Sequence, residues 1–406
     1  MKKLLTVNNY HYRRGGADSV FLDHSSLFSQ MGWKVVPFSM QHPNNFKSQY
    51  EKYFISEIEF GEKYTLIEKV LKSLSIIYSF EAKRHVINLL EEEKFDICHC
   101  HNIYHHISPS ILPAVKSYAV PIVMTLHDLK LCCPNYQMLT HDGICERCKK
   151  KKYYNAIKHR CIKNSLSLSI LIAIESYVHQ LTKIYLKNID RFIVPSRFYI
   201  RKMKECGIPR HQICYIPNYV DVTLYIPEYA PGKKFLYFGR LSQQKGLETL
   251  IKAVNEADVE LLIAGEGPEK EVLLRLVRKL KCKVTFLGFL NGNKLKDVIR
   301  SCRASILPSE WYENAPMSIK ESYANGKPVI GADIGGIPEL VSNEITGFTF
   351  KSGSVEQLAN RLRYVADMKD CDVEAMGKEA RVYVEKHHNK DLYVERVKKL
   401  YSELTC

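Results

Sequence analysis

The chain has 406 residues, more than one ordinary hydrophobic core accommodates, so two domains are expected. With 46% hydrophobic and 25% charged residues it has the composition of a globular protein, which excludes intrinsic disorder. No run reaches the roughly 18 apolar residues of a membrane span. Residues 166–174 come nearest, but they carry Ser167 and Ser169 and run into Glu175, and residues 1–7 are strand-like instead of a secretory leader. A cytoplasmic location is expected, with contact to the inner face of the plasma membrane left open. The net charge of +15 is concentrated in two stretches. One comprises Lys149 to Lys152, Arg160 and Lys163; the other Lys183, Lys187, Arg191, Arg197, Arg201, Lys202 and Lys204. Nucleic acid, an anionic membrane or a phosphorylated acceptor would each answer to that charge, and so would a plain solvated surface.

Taken in chain order, the apolar periods alternate as a parallel sheet with crossover helices requires. Residues 2–7 read as a buried strand, followed by a loop with Gly15 and Gly16, a helix over 17–31 closed by Gly32, and a strand over 33–38. Residues 41–80 have no clean period. Further short strands are expected at 95–100, 121–126, 191–194 and 212–216. The stretch 217–234 holds three prolines and Gly232, and reads as an interdomain linker. Beyond it strands are expected at 235–238, 260–264, 284–287, 304–307 and 328–331. Helices are expected at 247–255, 269–279, 294–301, 317–324 and 355–366. Two such runs predict two doubly wound α/β domains facing one another, with ligands at the carboxyl ends of the strands.

Two segments carry chemistry at such ends. Pro308-Ser309-Glu310-Trp311-Tyr312-Glu313-Asn314-Ala315-Pro316-Met317 leaves a strand and enters a helix whose free N–H groups suit an anion. Pro316 suits the first helical turn. Glu313 and, further on, Glu321 can accept hydrogen bonds from hydroxyls, although an acidic helix start reads the same way. Arg240 and Lys245 flank a turn after the strand 235–238, where two cations can clamp a diphosphate.

These residues resemble those of the retaining family 4 glycosyltransferases of the GT-B fold (glycosyl transferases group 1), over nearly the whole chain. The resemblance is carried by Gly239-Arg240-Leu241 with Lys245-Gly246-Leu247-Glu248, and by Ala264-Gly265-Glu266-Gly267-Pro268. It continues through Glu313 to Glu321, Gly326-Lys327-Pro328-Val329-Ile330 and Gly335-Gly336-Ile337-Pro338-Glu339-Leu340-Val341. It implies two Rossmann-like domains: 1–222 for the acceptor, with 385–406 packing back onto it, and 223–384 for a nucleotide-sugar donor. It further implies that Arg240 and Lys245 bind the donor diphosphate together with backbone N–H groups from Asn314, Ala315 and Met317 around Pro316. Glu313 would hold sugar hydroxyls and Glu321 the ribose. Gly15 and Gly16 would form the amino-terminal glycine loop. His127, in Thr125-Leu126-His127-Asp128, would line the reaction centre, with His101 on the acceptor side. No catalytic metal is implied, and the acceptor would be a glycan or polyprenyl-linked sugar in surface polysaccharide synthesis. Two departures stand out: Asn314-Ala315-Pro316 replaces a Gly-Phe-Gly type of turn, and Asn218-Tyr219-Val220-Asp221 replaces Asn-Gly-Val-Asp.

Seven of the thirteen cysteines lie between Cys98 and Cys161. Disulfides are not expected in a reducing compartment. Cys133, Cys145, Cys148 and Cys161 have gaps of eleven, two and twelve residues, a spacing that suits a structural zinc, with Cys132 and His159 as alternative ligands; reduced buried thiols are the other reading. A basic, thiol-rich nucleic-acid-binding protein would use Tyr153, Tyr154 and the neighbouring lysines, but it leaves the ordered donor motifs unexplained. The implied partners therefore include no nucleic acid. A nucleotide-sugar epimerase is the alternative enzyme.

Overall fold

A computed structural model of the chain describes residues 1–57 and 74–405. Residues 58–73, within the aperiodic 41–80 stretch, lie outside them. The strands are β1 (Lys3–Val7), β2 (Lys34–Phe38), β3 (Ile97–Cys100) and β4 (Ile122–Thr125), then a short hairpin of β5 (Leu139–Thr140) and β6 (Gly143–Ile144). β7 (Arg191–Val194) and β8 (Ile213–Tyr215) follow. The second half supplies β9 (Phe235–Phe238), β10 (Leu261–Ala264), β11 (Val284–Gly288), β12 (Ala304–Leu307), β13 (Val329–Ala332) and β14 (Gly347–Phe350).

They form two six-stranded sheets, ordered β2-β1-β3-β4-β7-β8 and β11-β10-β9-β12-β13-β14, with every pairing parallel. Helices cover both faces, which is why β3, β4, β9 and β12 are buried at every position. The strand order reverses between β1 and β3 in the first sheet and between β9 and β12 in the second. A crevice opens at the carboxyl end of each reversal, because the flanking connections leave in opposite directions. The loops after β1, β3, β9 and β12 are those that carry Gly15, His101, Arg240 and Glu313.

Each sheet has its own core. Leu5, Val36, Ile122 and Phe192 centre the first; Phe235, Ile263, Ile306 and Leu358 centre the second. The last helix, Lys390–Thr405, belongs to the first: Tyr393, Val397, Leu400 and Tyr401 fall at helical spacing and pack on Leu4, Ile97, Val123 and Ile193. Four such side chains contribute roughly 6–12 kcal/mol of gross burial, at about 1.5–3 kcal/mol each, so this helix is part of the fold. The helices Asp370–His387 and Leu166–Thr182 were not foreseen as long elements. Among the described residues no helix is long and apolar enough to cross a membrane.

Candidate active site

The helix Met317–Ala324 starts from Pro316, which takes the capping position with φ −61° and ψ 125° instead of the first helical turn. No side chain caps this end, and no hydrogen bond engages the backbone N–H of Asn314, Ala315 or Met317 among the described residues. Gly336 clamps the turn from below: its N–H donates to the Glu313 carbonyl at 2.8 Å, and a Cβ there would lie 1.9 Å from the Asn314 oxygen. Only glycine permits that approach. Asn314 also ties the turn to the other domain. Its side chain donates to the Leu126 carbonyl at 2.9 Å and accepts from Ser196 Oγ at 2.8 Å, so the donor-side turn sits directly against the residue preceding His127.

Glu313 is 6% exposed, and one of its oxygens, Oε1, accepts from Lys245 Nζ (2.6 Å), Ser309 Oγ (2.7 Å) and Trp311 Nε1 (2.8 Å). Burial pushes its carboxyl up, but Lys245 and these donors outweigh burial and hold it below the ordinary value, so Glu313 is a carboxylate at neutral pH. Lys245 also lies 5.2 Å from the Trp311 ring centre. The turn bearing Lys245 is fixed by the Glu310 N–H donating to the Gln244 carbonyl at 2.9 Å, and Gly246 takes φ +68° where a Cβ would meet Pro308 O at 1.9 Å. Arg240 is exposed beside this turn; its carbonyl accepts from Tyr237 OH at 2.8 Å, and its guanidinium makes no hydrogen bond or ion pair among the described residues. The side-chain carboxyl of Glu321, in the first turns of the helix, has no hydrogen-bond partner among them either; burial, with Asp23 across the cleft, pushes it up to about 7.

Opposite lies a stack of histidines. His101 Nδ1 and His127 Nε2 are 2.8 Å apart, with the rings parallel at 5.1 Å; His99 stacks on His101 at 4.7 Å. His99 Nδ1 meets Tyr401 OH at 2.6 Å and His24 Nε2 at 3.2 Å, and His24 Nδ1 meets Tyr393 OH at 2.9 Å. Burial lowers the pKa of all four, to about 4 for His127 and about 3 for His24, so the stack is neutral. The proton between His101 and His127 can be assigned. His101 Nε2 is buried without a partner. Were His127 the donor, that nitrogen would carry a buried N–H with no acceptor, the costlier kind of orphan. His101 therefore donates through Nδ1, and His127 carries its own proton on Nδ1. His101 is fully buried beside His127, at the end of the strand that the sequence reading put on the acceptor side. His24, His99, Tyr393 and Tyr401 gave no signal in the sequence, because the contacts span up to 377 positions.

Gly15 and Gly16 are exposed at the start of the helix Gly16–Gln30. Gly15 is extended (φ −161°), and a Cβ would meet only Asp18 Oδ2 at 3.9 Å, or nothing within 4 Å at Gly16. The chain itself does not require glycine at either position.

The cysteines correct two expectations. Cys132 and Cys206, 74 residues apart, form a disulfide, joining the loop after β4 to the end of the helix Arg197–Glu205. Among the described residues no group of three or more His, Cys, Asp or Glu side chains is placed to hold a metal ion. Cys133, Cys145, Cys148 and Cys161 line one small cavity with His159, but do not form the expected zinc site. Cys133 Sγ instead donates to Asn135 Oδ1 at 3.0 Å.

Two parallel sheets with opposed reversals, a helix start facing a histidine strand end and an acid–lysine pair between them define a glycosyltransferase of the GT-B fold. Residues 14–224 match the family model described as Glycosyltransferase Family 4, and residues 226–383 that described as Glycosyl transferases group 1. The chain belongs to glycosyltransferase family 4. It is 25% identical over 362 residues to the Escherichia coli UDP-Gal:alpha-D-GlcNAc-diphosphoundecaprenol alpha-1,3-galactosyltransferase, an alignment covering 83% of each chain. An uncharacterized glycosyltransferase of Methanocaldococcus jannaschii is 37% identical over 121 residues, 28% of this chain and 31% of that protein. Anabaena HepE in complex with UDP and glucose superposes with a TM-score of 0.68 at 17% identity, covering 100% of both chains.

Proposed function

We propose that the chain transfers a sugar from a nucleotide-diphosphate-sugar to a glycan or polyprenyl-linked acceptor, with retention and without a catalytic metal, in surface polysaccharide assembly inside the cell. The observation that carries this is the Glu313–Lys245 pair set between the exposed Arg240, the uncapped helix start and His127. Lys245 and Arg240 receive the leaving diphosphate, assisted by the N–H groups of Asn314, Ala315 and Met317, and Gly15 and Gly16 leave room for it. Glu313 orients sugar hydroxyls through its second oxygen, and Glu321 takes the ribose. His127 offers its Nδ1–H to the sugar and, at a pKa of about 4, is not the base. The C1–phosphate bond breaks while the acceptor oxygen bonds C1 on the same face. The acceptor's proton passes to the departing phosphate, whose charge the two cations stabilise. The named relatives support the substrate classes: one acts on a diphosphoundecaprenol-linked sugar, and HepE is described with UDP and glucose.

The test is nucleotide release from a panel of UDP-, GDP- and ADP-sugars by purified protein, with Lys245→Ala and Glu313→Ala alongside. One donor should be consumed, and each variant should lose activity about 100-fold or more while keeping its circular dichroism. Undiminished turnover in either folded variant would remove the assignment.

A further inference from the structure

The helix Leu166–Thr182 has an outward face that is exposed among the described residues. Leu166, Ile170, Ile174 and Val178 follow at intervals of four, with Leu181 after them, and all five are exposed, Leu181 at 80%. Residues four apart fall on one helix face, so this is a continuous apolar stripe about 24 Å long at 1.5 Å per residue. Beside it, His179 Nε2 holds the Ile77 carbonyl at 2.7 Å, and the segment so attached exposes Leu74 and Phe80. The helix has one charged residue, Glu175, and it is turned fully inward onto Lys130.

The charge around the stripe has one sign. From Lys149 to Ile189 the only acid is that buried Glu175. The three lysines at 150–152, with Lys158, Arg160 and Lys163 before the helix and Lys183 and Lys187 after it, are all exposed, and none is ion-paired among the described residues. The basic segment lies against the helix: the Tyr154 N–H donates to Tyr177 OH at 3.1 Å, and the Tyr153 and Tyr177 rings are 5.1 Å apart.

We propose that this face docks the protein on an anionic lipid bilayer. The stripe enters the headgroup–acyl boundary, and the flanking lysines meet anionic headgroups. A second copy of the chain would lay the same cations against one another across a two-fold interface, and a nucleic acid would leave the stripe in water. The site is coupled to the cleft. Glu175 Oε2 holds Lys130 Nζ at 2.7 Å, and the Lys130 N–H donates to Asp128 Oδ1 at 2.9 Å, next to His127. The docked helix is thus tied to the loop that carries His127, and a lipid-borne acceptor would be presented near that loop; this last point rests on the lipid-linked reading above.

Co-sedimentation of the full chain with vesicles of pure phosphatidylcholine, or of equal parts phosphatidylcholine and phosphatidylglycerol, tests the assignment. Binding should require phosphatidylglycerol and weaken with salt. Each neutralised lysine, Lys151→Gln or Lys183→Gln, should cost roughly fivefold in partition, and Ile170→Glu with Ile174→Glu should cost at least about tenfold. Nucleotide release from the sugar donor should be unchanged in all of them. Equal binding by the glutamate variant, or no vesicle binding by the wild type, overturns the proposal. So does a dimer in light scattering that this variant dissociates. A wild type that binds vesicles but consumes no donor would sink the transferase reading and leave the docking face standing.

Discussion

Lys320 is fully buried, and among the described residues the only hydrogen bond of its ammonium is from Nζ to the Asn218 carbonyl at 2.8 Å, with no carboxylate paired to it. Burial lowers its pKa from the ordinary 10.5 to about 7. The unfolded chain therefore binds more protons than the folded one between about pH 7 and 10.5, and stability rises with pH across that window. Below pH 7 both states are protonated, and the folded protein bears the whole penalty of a buried ammonium. At about 1.4 kcal/mol per pH unit, the span amounts to an upper limit of about 5 kcal/mol. Lys320→Met removes the charge at nearly constant volume and leaves the Asn218 carbonyl to His388, whose Nδ1 is 3.3 Å away. Subtracting about 1–2 kcal/mol for the lost hydrogen bond, the variant should be more stable than wild type by about 2–4 kcal/mol at pH 6, and the gap should close by pH 10. Urea denaturation of both proteins over this range measures the difference and cancels every other titrating group. A difference that stays constant with pH, or a variant that is weaker at pH 6, would refute the reasoning.

Glu321, pushed up to about 7, gains a full negative charge only as pH rises through neutrality, so the donor KM should fall between about pH 6 and 8. Glu321→Gln should flatten that profile, and a profile identical to wild type would separate Glu321 from the nucleotide. His101→Leu removes the group that donates to His127 and should lower kcat about 10- to 100-fold, with the neutral His127 reverting to the Nε2–H tautomer seen by nitrogen NMR. His101→Asn, which retains an N–H at the Nδ1 position, should restore both. An Nε2–H tautomer in the wild type would contradict the assignment.

The parts of the fold visible in the sequence were those with a local cause. The helix Met317–Ala324 was placed to the residue, because Pro316 and the apolar positions after it act within one turn. The strands ending at Val7, Thr125 and Leu307 were visible as short apolar runs. The helix Leu166–Thr182 was seen only as an apolar fragment, since a helix apolar on its outward face has no polar side to give it a period. The return of 385–406 to the first domain was implied by the resemblance, but its contacts were not, because Tyr393 and Tyr401 meet His24 and His99 only once the first sheet exists. The residue types of the site could be read from the motifs; the Glu313–Lys245 pair, the Asn314 bridge and the order of the histidines could not. Cys132 illustrates the limit most plainly. Its neighbours suggested a spacing rule, yet its partner lies 74 residues away.

The placement of the last helix has a mechanical consequence. The chain passes between the domains once near Val220 and returns near His388, and the two passages are joined by the Val220 N–H donating to the His388 carbonyl at 2.9 Å and by Lys390 on Asp221 at 2.9 Å. A body held by two adjacent straps can swing about the line through them but cannot swivel freely. Any opening of the crevice would be confined to one arc, and closure along it would bring Asn314 back to the Leu126 carbonyl.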